Sequence, residues 1–206
     1  MRLVEHVQFD TVYHEHFSYL SLYTVSRILA AAGLRVFDVE ELPTHGGSLR
    51  VFACHVDDER ADGPAIAAVL AAEAAAGLRQ LTVYAAFQQR VDEVKDGLLT
   101  FLLEQKRTGK KVAAYGAAAK GNTLLNYAGV KPDLLPFVCD AAPSKQGKYL
   151  PGSHVPIFAP ARMEQEKPDI VLILPWNIAA EVMQQLHYIR EWGGRFATAA
   201  PALEIR

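Results

Sequence analysis

Cysteine is scarce. The 206 residues hold only Cys54 and Cys139, far apart and without a C-x-x-C pair, so no disulfide framework or zinc site is indicated. Long apolar runs are missing: the longest, residues 170–176, is far too short to span a bilayer. Charge of one sign is missing as well. With 21 Lys and Arg against 23 Asp and Glu the net charge is -2, which gives no reason to expect nucleic acid or an acidic membrane surface as partner. The opening residues, Met1-Arg-Leu-Val-Glu-His, do not form a signal peptide. A cytoplasmic setting is therefore expected. What is present is an ordinary globular balance, 50% hydrophobic and 21% charged, in a chain long enough to bury a sizeable core.

The chain is organised around Val112-Ala-Ala-Tyr-Gly-Ala-Ala-Ala-Lys-Gly-Asn-Thr123. Small apolar residues run into Gly116 and helix-forming sequence follows Gly121, which predicts a buried strand, a tight turn and the first turn of a helix. Leu134-Leu-Pro-Phe-Val-Cys-Asp140 predicts a second buried strand closing on an acid. Together these form the front half of a nucleotide-binding unit, whose turn offers backbone N–H groups at a helix N-terminus. Ala118 stands where the second glycine of G-x-G-x-x-G belongs, and its Cβ limits the approach of a pyrophosphate. A turn that needs glycine only for packing is the equal alternative. Gly116, Lys120, Asn122 and Asp140 are the candidate ligand contacts here. Lys145 and Lys148, in the polar loop that follows, suit a diphosphate. The apolar run Asp169 to Leu174 predicts another buried strand, ending at Pro175-Trp-Asn177 on the edge where open α/β sheets bind ligands. Trp176 and Asn177 are candidates on that ground. The first expectation for Asn177 is nonetheless the N-cap of a helix running to Gly193-Gly194. Residues 195–198 supply a last strand, so residues 111–206 predict a Rossmann-like, three-layer parallel sheet of about five strands.

Upstream, Asp10-Thr-Val-Tyr-His-Glu-His-Phe-Ser18 is the densest cluster of titratable side chains. Ser21 is expected to cap a helix to Ala32 with Gly33 as its stop, which puts Tyr13, His14, Glu15 and His16 in the loop before it. A histidine that titrates near neutrality, a carboxylate to hold its tautomer and a tyrosine donor suit general acid/base work. A solvated loop with packed aromatics and a metal site of His14, Glu15 and His16 are the alternatives. Residues 34–42 and 48–55 alternate apolar and polar, predicting a hairpin with its tip at Pro43-Thr-His-Gly-Gly47. His45, Gly46, Gly47 and Ser48 at the tip are candidate substrate contacts. Arg50 suits a phosphate or carboxylate, or equally a charge partner across the strands. Pro64 opens an alanine-rich helix, and residues 82–107 predict a long helix with an apolar stripe through Phe87, Val91, Val94, Leu98 and Phe101.

Four segments carry a family resemblance: Gln8-Phe-Asp-Thr-Val-Tyr-His-Glu-His-Phe-Ser-Tyr-Leu-Ser21, Leu42-Pro-Thr-His-Gly-Gly-Ser-Leu-Arg-Val51, Tyr115-Gly-Ala-Ala-Ala-Lys-Gly-Asn-Thr-Leu-Leu-Asn-Tyr127 and Lys145-Gln-Gly-Lys-Tyr-Leu-Pro-Gly152. In these the chain resembles the C-terminal part of the S-adenosylmethionine-dependent sugar C-methyltransferases, whose substrates are nucleotide-linked keto-deoxysugars. The resemblance implies that His16 removes the proton α to the keto group while Glu15 orients it and Tyr13 steadies the enolate. It also implies a division into a methyltransferase remnant (1–60, a helix and hairpin from a partial sheet), a helical linker (61–110) and a Rossmann-like nucleotide-sugar-binding domain (111–206). Against the family pattern there is no cysteine cluster for zinc and no glycine-rich turn with its acid upstream of residue 10. The pocket for S-adenosylmethionine is thus expected to be largely missing, and the chain to be an inactive fragment that associates, with itself or another chain, through an exposed N-terminal part. A non-catalytic nucleotide-sugar binding module and an NAD-dependent oxidoreductase remain as alternatives.

Overall fold

A computed structural model describes residues 1–206. The chain divides into two compact units, one of Met1–Val7 and His16–Gln89, the other of Gln8–Glu15 and Arg90–Arg206.

The first unit opens with the short helix α1 (Arg2–Glu5). Helix α2 (Leu22–Ala31) begins where Ser21 Oγ accepts from the Thr24 amide at 3.2 Å, and Gly33, at φ 71°, stops it. Strands β1 (Leu34–Leu42) and β2 (Ser48–His55) form an antiparallel pair with a bulge between Val36 and Asp38. Helix α3 (Pro64–Ala75) starts with proline at its first turn, where the missing N–H costs nothing. Leu22, Val36 and Val39 are buried together, with Leu29, Val51, Ile66, Val69 and Leu70 packed around them. The polar exception in this core is Glu73, 3% exposed, which accepts from the amides of Leu22 at 2.6 Å and Tyr23 at 3.0 Å. A carboxylate thus occupies the N-terminus of α2 from within the fold.

Helix α4 (Leu81–Arg107) buries Val91, Leu98, Phe101 and Leu102 and ends before Gly109. In the second unit, strands β3 (Val112–Tyr115), β4 (Val138–Cys139), β5 (Ile157–Phe158), β6 (Ile170–Ile173), β7 (Arg195–Thr198) and β8 (Glu204–Ile205) form one sheet in the order β5-β4-β3-β6-β7-β8. All pairs are parallel except β7 with β8, so the expected sheet of about five strands is six with an antiparallel edge. Helices α5 (Ala119–Tyr127), α6 (Ala161–Glu166) and α7 (Ala179–Gln185) alternate with the strands. Every residue of β3 and β6 is buried, which requires cover on both faces of the sheet and gives the three-layer α/β architecture.

Three local expectations are corrected. The strand over residues 134–140 contracts to Val138–Cys139, because Leu134 and Leu135 turn back onto the Lys131 carbonyl and Pro136 has no N–H to give a ladder. The neighbouring edge strand β5 is likewise brief, preceded by His154 at φ 60° and by Pro156. Asn177 does not cap the following helix: it lies inside a 3₁₀ turn, Trp176–Ile178, and Ile178 precedes α7 without a side-chain cap. That helix also stops short, giving way to a 3₁₀ stretch, His187–Trp192, that buries Ile189 before Gly193 turns left-handed. Aromatic and β-branched residues in this stretch lower its α-helical propensity.

Candidate functional site

In this sheet β3 lies centrally, with β4 and β5 to one side and β6 and β7 to the other. The carboxyl ends of β3 and β6 therefore flank the point where strand order reverses, the usual ligand crevice of such sheets. The glycine turn after β3 and the Pro175-Trp176-Asn177 segment after β6 meet here. Gly116 sits at φ 92°, and a Cβ on it would lie 2.5 Å from Pro175 Cδ. A Cβ on Gly121 would lie 2.5 Å from Leu174 Cβ. Both glycines serve close packing of the two segments.

Asp140, at the end of β4, spans the turn. Its Oδ2 accepts from the Ala117 amide at 2.7 Å and its Oδ1 from the Ala142 amide at 2.8 Å. Lys145 Nζ donates to Oδ2 at 3.2 Å, and the Gln146 amide donates to the Asp140 carbonyl. A side chain of the protein thus holds the amide that a bound phosphate would use. Lys148 is exposed on the same loop, and Asn122 lies half-buried on α5 with its Oδ1 enclosed.

Lys120 is 8% exposed although charged. Its ammonium donates to Asn177 Oδ1 at 3.1 Å and stands 4.5 Å from the centre of the Trp176 ring. The indole N–H of Trp176 donates to Asp10 Oδ2 at 2.6 Å. Asp10 is fully buried in a 3₁₀ turn, Phe9–Thr11, that packs on α5, where Phe9 meets the Tyr127 ring edge-on at 5.3 Å. Burial pushes the Asp10 carboxyl above its ordinary value, against the pull of the Trp176 N–H and the Lys120 ammonium. Burial likewise holds Lys120 below its ordinary value, with Asp10 opposing. Lys120, Trp176 and Asn177 are thus brought together as one group, and sequence reasoning did not see its fourth member. The signal available was an acid between Phe9 and Thr11, three residues before Tyr13.

Tyr13 is half-buried, and His14, Glu15 and His16 are exposed in the open segment between Thr11 and α2. His14 Nε2 lies 4.0 Å from Glu15 Oε1, and the His16 ring meets the Tyr19 ring edge-on at 6.4 Å. No three His, Cys, Asp or Glu side chains converge as a metal would require. At the hairpin tip His45 has φ 56°, Gly46 90° and Gly47 123°, and the Arg2 side chain lies where a Cβ on Gly47 would stand. Ser48 Oγ donates to the Thr44 carbonyl at 3.0 Å, and Arg50 pairs with Glu40 across the strands at 2.8 Å. No helix of the structure is long and apolar enough to cross a membrane.

Comparison with known proteins adds to this geometry. A family model described as the C-methyltransferase C-terminal domain matches residues 43–201. The chain is also 38% identical over 201 residues to the C-methyltransferase NovU of Streptomyces niveus, an alignment covering 98% of this chain and 48% of that protein. The chain therefore spans about half the length of this curated relative.

Proposed function

Because the chain belongs to the family of C-methyltransferase C-terminal domains, we propose that it performs the proton-abstraction half of a carbon methylation. The substrate is a nucleotide-linked keto-deoxysugar. His16 takes the proton from the carbon α to the keto group, Glu15 orients the imidazole, and Tyr13 donates to the enolate oxygen. The observation that carries this reading is the Tyr13–His16 segment itself: titratable, largely open to solvent, and preceded by a buried, hydrogen-bonded turn.

S-adenosylmethionine supplies an electrophilic methyl group in such reactions. The glycine turn of this chain does not fit it, since Asp140 holds the Ala117 amide and Gly116 and Gly121 are filled by Pro175 and Leu174. The same packing argues against a bound NAD. The donor is therefore assigned to residues outside these 206, and the chain alone transfers no methyl group. On this reading residues 1–60 extend a methyltransferase sheet, 61–110 link, and 111–206 bind the nucleotide-sugar. Within the second unit the Asp140, Lys145 and Lys148 loop, with Lys120, Asn122, Trp176 and Asn177, serves as a substrate contact, and within the first unit the His45–Arg50 tip serves as a contact of its own. The setting is the cytoplasm.

Incubation of the chain with a keto-deoxysugar nucleotide in D₂O, followed by NMR, tests this. Deuterium should enter the α carbon without methyl transfer, and His16→Asn should slow its entry roughly 10²–10⁴-fold. Methyl transfer by this chain, or exchange at the wild-type rate in His16→Asn, rejects the proposal. A non-catalytic binding module would bind the nucleotide-sugar and show no exchange at all.

A further inference from the structure

Beside the crevice between β3 and β6 the chain's own residues hold one another. Asp10 has no exposed surface, sits against the Trp176 indole, and is close enough to the Lys120 ammonium for the two charges to act on each other. The polar sequence runs without a break from Asp10 Oδ2 through Trp176 Nε1, with Lys120 above the same ring and bonded in turn to Asn177. Phe9, wedged on the Tyr127 ring, adds an apolar hold on one side, and Thr11 Oγ1, donating to the Gln8 carbonyl at 2.7 Å, closes the turn. Residues Gln8–Glu15 belong to the second unit as a result.

Val7 is buried and adopts φ 49°. For a β-branched residue that is an outlier, kept only where surrounding contacts over-determine it. The chain therefore enters the turn through a strained residue.

A single buried carboxylate that ties residue 10 to Trp176, whose ring Lys120 also meets, fixes the starting point of a segment whose next members are Tyr13 and Glu15. We propose that Asp10 is a positioning residue for the proton-abstraction loop, locking Gln8–Glu15 onto the carboxyl edge of the sheet through Trp176 and Lys120. This rests on the acid/base reading of Tyr13, Glu15 and His16. Asp10 itself touches no substrate. Its effect passes through the backbone of residues 11–15, whose first amides already close on the turn, Thr11 to Gln8 at 3.1 Å and Val12 to Phe9 at 2.9 Å.

Amide hydrogen exchange and indole N–H NMR on the whole chain test the lock without relying on activity. Asp10→Ala should speed exchange at Thr11, Val12 and Tyr13 roughly 10–100-fold, the equivalent of a lost hydrogen bond to a charged group. Amides of β3 and β6 should stay protected. The Trp176 indole proton should move upfield while that of Trp192, bonded to the Pro168 carbonyl, stays still. Asp10→Asn keeps an acceptor oxygen and should restore most of the protection. If Asp10→Ala unfolds the whole chain, Trp176→Phe decides, since it removes one donor and keeps an aromatic ring, though a smaller one; it should loosen the same three amides. Unchanged exchange at those amides in the folded variant overturns the lock. Deuterium entry at the substrate α carbon, measured alongside, separates the two claims. Loosened amides with wild-type entry in Asp10→Ala, while His16→Asn abolishes it, overturn the positioning role and leave His16 as the base. Wild-type entry in His16→Asn overturns the loop reading, and the positioning role with it. Loosened amides with slowed entry in Asp10→Ala, recovered in Asp10→Asn, support it.

Discussion

Two opposite charges with little contact to water, on Asp10 and Lys120, give the crevice a pH signature. Burial raises Asp10 above its ordinary 3.8. Between pH 3.8 and its folded value the folded chain binds more protons than the unfolded one, so this group's stabilisation, complete below 3.8, is lost as pH rises through that window. Lys120, held below its ordinary 10.5, has the opposite slope: the unfolded chain binds more protons, and stability rises with pH up to 10.5. Urea unfolding across pH should therefore show a falling acid limb that Asp10→Asn flattens and an alkaline rise that Lys120→Met flattens. Each single change strands the partner's charge, so the double variant should be more stable than the two singles predict. The expected coupling is about 0.5–3 kcal/mol. Strict additivity would mean that the two side chains do not sense each other.

Elements with local punctuation were legible in the sequence. Ser21, Gly33, Pro64 and Gly109 mark the ends of α2, α3 and α4, and all four serve in those places. The alternation over residues 34–42 and 48–55 gave the hairpin to the residue, because one face of that pair packs on α2 and α3. Elements set by tertiary partners were not legible. Asn177 satisfies every local rule for a cap, yet its oxygen is taken by Lys120, 57 residues away. Asp10 answers to Trp176, 166 residues away, and no local pattern carries that information. Glu73 is of the same kind: a lone acid in an alanine-rich helix that proves to hold the start of α2. Glu73→Ala strands one buried and one part-buried amide donor and should cost about 2–4 kcal/mol in urea unfolding. Glu73→Gln, which keeps an acceptor, should cost markedly less. Equal losses from the two would locate the effect in packing.

At the scale of the molecule the hairpin stands out, because β1 and β2 pair only with each other. A two-stranded sheet needs cover, and α2 and α3 supply it through Val36, Val39 and Val51. Elsewhere on this pair apolar side chains face water: Leu49 is 37% exposed, Phe52 38%, and Val56 just beyond the pair 67%. Long strands with open edges and apolar residues at their surface are sites of association. The chain should therefore gain mass with concentration in light scattering, through this hairpin. Replacing Leu49 and Phe52 by lysine should return it to a monomer of 22.6 kDa without changing its circular dichroism, because neither side chain is buried. Association that persists in the double lysine variant would move the contact elsewhere, with Phe17, 93% exposed, the next residue to replace. A wild-type chain monomeric at every concentration would mean that Arg50, Glu40 and their neighbours on the two strands carry enough charge to guard the edge unaided.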